Sequence, residues 1–113
     1  MLTKNKDIAI AGAGLVGTLL SIYLKKKNYN VTIFDRSEDI RKVKFSGRSI
    51  NLAMSTRGWH ALDEVGIGDE IRKIAIPMDK RAIHLKDGSL SFQPYGINGE
   101  AIYSISRGGL NRM

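Results

Sequence analysis

The sequence contains no cysteine. That excludes a disulfide framework, a thiolate metal ligand and a cysteine nucleophile, and it is compatible with a reducing compartment. No apolar run is long enough to span a bilayer, and no basic-then-apolar leader opens the chain, so a soluble, cytoplasmic protein is expected, membrane association being left to any region beyond it. No internal repeat or low-complexity segment is present, and no spacing of side chains suggests a metal site or a nucleophile–base pair. Acidic residues are few: 18 Lys and Arg stand against 11 Asp and Glu, a net charge of +7. The basic residues are scattered from Lys4 to Arg112, without a long basic block or interleaved aromatic platforms, which argues against nucleic acid as the partner. A field of this sign suits an anionic cofactor and an acidic substrate, or is balanced by acidic residues in a region beyond the chain.

What is present reads as an ordinary globular chain, 42% hydrophobic and 26% charged over 113 residues. Its most informative stretch is Asp7-Ile8-Ala9-Ile10-Ala11-Gly12-Ala13-Gly14-Leu15-Val16-Gly17, which sets three glycines in G-x-G-x-x-G spacing directly after a short apolar run. In a dinucleotide pyrophosphate site Gly12 turns the chain out of the strand, Gly14 lets backbone approach phosphate oxygens, and Gly17 lets the helix pack close to the sheet. The N–H groups near Leu15 and Val16 would face the anion. The context agrees: residues 8–11 form a buried-type strand, and Leu15, Leu19, Leu20, Tyr23 and Leu24 recur with helical spacing up to Lys25-Lys26-Lys27, a basic helix end. Residues 31–34 form a second strand, ended by Asp35, 18 positions after Gly17. An acid at this distance serves ribose hydroxyls and repels a 2′-phosphate, so FAD or NAD is favoured over NADP at this site; Arg36 beside it weakens that preference without reversing it.

Residues 36–58 read as an ordered loop with a short extended piece at Ile50, Leu52 and Ala53. Ser55 is the expected N-cap of a helix carrying Trp59, Leu62 and Val65 on one face and stopped at Gly66; a second short helix, from about Asp69, carries Ile71 and Ile74 and ends before Pro77. Asp87-Gly88 between two apolar runs predicts a β-hairpin closed by a type I′ turn. Residues 102–105 make a further strand, and Ser106 is placed to cap a helix opening at Gly108. The fold class is therefore α/β, a Rossmann-like βαβ start followed by two short helices and a hairpin. With only two parallel strands the sheet is incomplete, so residues 1–113 are expected to be an N-terminal fragment of a longer protein, or to have their sheet completed by another chain.

Gly12-Ala13-Gly14-Leu15-Val16-Gly17, then Gly47-Arg48-Ser49-Ile50-Asn51-Leu52-Ala53, Ser55-Thr56-Arg57-Gly58 and Ile76-Pro77-Met78, resemble the N-terminal part of the kynurenine 3-monooxygenase family of FAD-dependent aromatic hydroxylases. Pro94-Tyr95-Gly96 and Ser104-Ile105-Ser106-Arg107 follow in matching order, so the resemblance covers essentially the whole chain. It implies that NADPH reduces FAD and that L-kynurenine is hydroxylated beside its amino group, the flavin doing the hard chemistry; no catalytic side chain is assigned. It implies that Gly12, Gly14, Val16 and Gly17 hold the FAD pyrophosphate, that Asp35 and Arg36 lie near the adenosine ribose, and that Arg48, Ala53 and Arg107 are further cofactor contacts. Asp35 departs from the Glu common in the family: the shorter acid must move the strand end or hold the ribose less directly. Arg81 and Tyr95 match the family's pair for the substrate carboxylate. Without the resemblance Arg81 reads as a solvated charge, Tyr95 as a packing aromatic at a turn, and Trp59 as core; His60 and His84 carry no assigned chemistry. Two other readings stay open, an NAD-dependent dehydrogenase with the same βαβ start and a basic non-catalytic binding module.

Overall fold

A computed structural model describes residues 5–44 and 50–113. The chain divides into two compact units, residues 1–49 with 108–113, and residues 50–107.

The first unit is a parallel βαβ. Strand β1 (Asp7–Ala11) and strand β2 (Asn30–Phe34) pair in parallel, Ile8 opposite Val31 and Ile10 opposite Ile33, and helix α1 (Leu15–Lys26) connects them. Lys25 and Lys26 occupy the last turn of α1, where cations complement the helix dipole. The helix ends in a Schellman motif: Tyr29 N–H reaches the Leu24 carbonyl at 3.1 Å and Asn28 N–H the Lys25 carbonyl at 3.0 Å, with Asn28 at φ 62°. Ile10 is buried, whereas α1 contains no buried residue and Leu20 is exposed. The apolar stripe of α1 is half-buried because only two strands lie beneath it.

The second unit holds the larger core. Strand β3 (Asn51–Met54), strand β4 (Ile76–Met78) and strand β7 (Ile102–Ser106) form an antiparallel sheet with β7 in the centre, Leu52 opposite Ile105 and Pro77 opposite Tyr103. Helices α2 (Thr56–Glu64) and α3 (Gly68–Arg72) contribute Leu62 and Ile71, which are buried with Met54, Val65 and Ile105. Ser55 stands at the N-cap of α2, but its side chain makes no capping hydrogen bond. Gly66, at φ 85°, closes the helix as expected: Ile67 N–H meets the Leu62 carbonyl and Gly66 N–H the Asp63 carbonyl, both at 3.0 Å. Two expectations need correction here. Helix α3 stops at Arg72, leaving Ile74 exposed, and Pro77 lies inside a strand; β4 is an edge strand, the one sheet position that tolerates a missing N–H.

Strands β5 (Lys80–His84) and β6 (Leu90–Pro94) form the expected hairpin, but its turn is not type I′. Leu85 N–H bonds the Ser89 carbonyl and Gly88 N–H the Leu85 carbonyl, while only Gly88 has positive φ, 86°. This is a three-residue loop, a type I turn followed by a bulge glycine. Asp87 Oδ1 accepts from both the N–H and the hydroxyl of Ser89, which holds Asp87 in the turn. Helix α4 (Arg107–Arg112) follows β7 directly, opening one residue earlier than Gly108. No helix among the described residues is long and apolar enough to cross a membrane.

Ile71 is fully buried at 0% exposure, so Ile71→Ala is expected to destabilise the protein by roughly 2 to 5 kcal/mol through lost transfer energy and a residual cavity. A chemical-denaturation midpoint measures it; an unchanged midpoint contradicts this account of the core.

Candidate dinucleotide-binding site

The three glycines of the loop do three different jobs. Gly12 has φ 108°, a conformation that L side chains rarely adopt, and its N–H extends the β1–β2 pairing by bonding the Phe34 carbonyl at 2.7 Å. A Cβ on Gly17 would lie 2.0 Å from the Gly12 carbonyl oxygen and 3.4 Å from Ile10 Cγ2, so the first turn of α1 sits directly against the loop and strand. Gly14 is the opposite case. It is the N-cap residue of α1, and a Cβ there would meet nothing within 4 Å. Open space therefore faces the loop at the glycine where backbone must approach a phosphate.

The electrostatics suit an anion. Thr18 N–H is the first to close onto the helix, bonding the Gly14 carbonyl at 3.0 Å, so the N–H groups of Leu15, Val16 and Gly17 precede the first helical bond. No acid occupies the first turn, and Val16 is 82% exposed. The residues present thus fit a pyrophosphate at the positive end of α1.

Asp35 follows the last residue of β2. Its Oδ2 accepts from Ala13 N–H at 2.8 Å and its Oδ1 from Ser37 N–H at 2.7 Å. The short acid is thus turned onto the glycine loop itself. These two backbone donors, Ala13 first, hold its carboxyl below the ordinary carboxylate range, aided by the Arg36 charge.

Of the other expected cofactor positions, Arg36 is exposed beside Asp35, and Arg48 lies outside the described residues. In the second unit, Ala53 is exposed on β3 opposite Ser104, and Arg107 is the exposed first residue of α4. Arg81 and Tyr95 belong to the hairpin. Arg81 lies directly opposite Gln93, and its Nε donates to Gln93 Oε1 at 2.9 Å while Nη2 donates to the same oxygen. Tyr95 continues the ladder, its N–H bonding the Asp79 carbonyl at 2.9 Å. Strand alternation therefore sets Arg81 and Tyr95 on one face as diagonal neighbours, with Gln93 between them as a partner that no sequence signal singled out.

Trp59, expected in the core, is only half-buried. Tyr103 meets its ring edge-on at 5.3 Å, and the Arg72 guanidinium lies 4.6 Å from the ring centroid while also bonding Asp63 at 2.6 and 2.7 Å. His60 is exposed on α2, as expected of a helix-surface histidine.

A strand, a glycine turn and a helix whose first turn faces open space define a Rossmann-like βαβ unit. Residues 8–64, about half of the chain, match the family model described as "Ketopantoate reductase PanE/ApbA", and over this stretch the chain belongs to the family that this model describes. Comparison over the whole chain finds relatives that match nearly all of it. The sequence is 65% identical over 109 residues to a kynurenine 3-monooxygenase of Christiangramia forsetii, covering 96% of this chain and 24% of that protein. It is 70% identical over 105 residues to one of Flavobacterium johnsoniae, covering 93% and 23%, and 47% identical over 110 residues to one of Sus scrofa, covering 96% and 23%. The chain is thus similar to kynurenine 3-monooxygenases over nearly its whole length and spans about a quarter of theirs. The fold is also that of p-nitrophenol 4-monooxygenase PnpA from Pseudomonas putida DLL-E4, with a TM-score of 0.73 at 22% identity over 93% of this chain and 28% of that one.

Two outcomes follow from the loop geometry. Gly14→Ala is expected to leave the melting temperature within a degree or two of the wild type, since its Cβ meets nothing, whereas Gly17→Ala drives a methyl into a backbone carbonyl and should lower it several-fold more; equal effects contradict the assignment. Asp35 supplies a pH test. A depressed carboxyl keeps its hold at and above its ordinary pKa of about 4 and loses it only as pH falls through the lowered value. The Ala13 amide resonance should therefore be flat from neutral pH to about 4 and move below it; a midpoint at or above 4 overturns the hydrogen bond.

Proposed function

We propose that the chain is the FAD-binding N-terminal part of a longer flavin-dependent monooxygenase that hydroxylates L-kynurenine to 3-hydroxykynurenine with NADPH as co-substrate. The observation that carries this reading is the reach of the identity with kynurenine 3-monooxygenases. It runs through 96% of the chain and so includes the Arg81 and Tyr95 hairpin, whereas the match to the reductase model stops at residue 64. An NAD-dependent dehydrogenase shares only the βαβ start. The anionic FAD cofactor, rather than nucleic acid, accounts for the positive field, and we assign the protein to the cytoplasm.

In this reading Gly12 and Gly17 shape the loop, and the backbone at Gly14, Leu15 and Val16 takes the FAD pyrophosphate. Asp35, held charged at neutral pH, serves the adenosine ribose, and Arg36, Arg48, Ala53 and Arg107 are further cofactor contacts proposed from the sequence resemblance. Bound FAD supplies the redox chemistry, taking electrons from NADPH and activating dioxygen so that one oxygen atom enters the substrate ring and the other leaves as water. The chain's own contribution is binding and orientation. Arg81 offers a planar, permanently charged fork to the amino-acid carboxylate of kynurenine, with the Tyr95 phenol beside it, and the Gln93 amide oxygen holds the guanidinium in readiness.

Two measurements on the full-length enzyme test this. Asp35→Ala should weaken FAD about ten- to a hundred-fold in a titration of flavin-free protein, through lost charge-assisted hydrogen bonds; an unchanged dissociation constant returns Asp35 to a turn residue. Arg81→Ala should raise KM for kynurenine about thirty- to a hundred-fold with kcat little changed, and Tyr95→Phe about five-fold, because a carboxylate is held alike in ground and transition states. Equal losses toward kynurenine and its decarboxylated analogue would remove Arg81 from the carboxylate site while leaving the flavin assignment standing.

A further inference from the structure

The glycine loop is gripped at one residue from two directions. Ala13, between Gly12 and Gly14, gives its N–H to Asp35 and receives at its carbonyl a hydrogen bond of 3.1 Å from Asn111 Nδ2, 98 positions away in α4. The other end of the same amide, Asn111 Oδ1, lies 3.2 Å from Thr18 Oγ1, whose proton also reaches the Gly14 carbonyl at 2.7 Å. A donor toward Ala13 and an acceptor toward Thr18, one carbon apart, is what a carboxamide provides. The neighbouring Arg112 anchors this end of α4, donating from Nε to the Ile40 carbonyl at 3.0 Å and from Nη2 to the Val43 carbonyl at 3.1 Å.

The consequence lies in peptide geometry. The Ala13 carbonyl and the Gly14 N–H belong to one planar trans peptide unit and point in opposite directions. Fixing the carbonyl on Asn111 therefore aims the Gly14 N–H away from α4, at the glycine whose missing side chain leaves the approach open. The Asp35 bond fixes the preceding peptide unit, so the backbone of Ala13 is held on both sides.

We propose that Asn111 is a positioning residue for the anion site: without touching the ligand, it sets the peptide plane that presents the Gly14 N–H to a pyrophosphate. The inference rests on the cofactor reading above and deepens it.

The test is FAD titration of flavin-free full-length protein, followed by flavin fluorescence from pH 5 to 8, for wild type, Asn111→Ala and the near-isosteric Asn111→Asp. Asn111→Ala should bind FAD about five- to ten-fold more weakly at every pH, the value of one neutral hydrogen bond. Asn111→Asp should match or exceed that loss at pH 8, where an ionised carboxylate repels the Ala13 carbonyl. At pH 5 it should recover most of the affinity relative to wild type, because a carboxyl raised by its neighbouring carbonyl and the ligand's phosphates is then protonated and can donate. A residue that only supports the fold would not produce this pH-dependent recovery. If Asn111→Ala does not fold, the Asn111→Asp profile decides alone. A ratio to wild type that is flat with pH, or wild-type affinity in Asn111→Ala, overturns the proposal. A wild-type protein that takes up no FAD at any pH overturns the cofactor reading and this inference with it.

Discussion

A helix can begin immediately beneath the end of a strand only where the two backbones can touch, and in this chain they touch at Gly17. The 2.0 Å between its missing Cβ and the Gly12 carbonyl oxygen leaves no room for any side chain. From that approach the rest of the first unit follows. The chain must reverse within the few residues after Ala11, which forces Gly12 to positive φ, and α1 must open with its N–H groups beside the strand end rather than beyond it. The same approach leaves Gly14 at the exposed tip, facing open space. An anion site of this kind is made from what the backbone cannot satisfy internally, so its cost is already met by the helix geometry.

Asp35 complicates the picture in an instructive way. Acidic groups are ordinarily kept away from an anion site, yet this one is fastened to the loop by the Ala13 N–H. The donors that fasten it also keep it ionised, and in the proposed reading such an acid would serve sugar hydroxyls while repelling a further phosphate.

Features that depend on local backbone conformation were legible in the sequence. Gly12, Gly66 and Gly88 mark positive φ, and each falls where the spacing of apolar runs demanded a turn or a helix end. The hairpin was legible but its turn was not, because Asp-Gly suits both a type I′ turn and a type I turn with a bulge glycine, and the choice depends on strand register. Pro77 was read as a helix stop when it is a strand residue, since nothing local reveals that β4 lies at a sheet edge. The Schellman end of α1 at Asn28 had a signal that went unread, an asparagine directly after a basic last turn. Asn111 and Gln93 had none. Their partners lie 98 and 12 positions away, and a lone amide leaves no periodicity or spacing by which to find it. The exposed second-unit positions, Ala53 and Arg107, carry no local mark of a site at all; only the family pattern singles them out.

The central claim, that the backbone from Gly12 to the first turn of α1 receives a dinucleotide pyrophosphate, is tested most directly by amide hydrogen exchange on the full-length protein with and without FAD. The account expects FAD loading to slow exchange sharply in peptides covering residues 12–18, whose leading N–H groups precede the first helical bond at Thr18. Stoichiometric FAD uptake with no added protection in those peptides would contradict it.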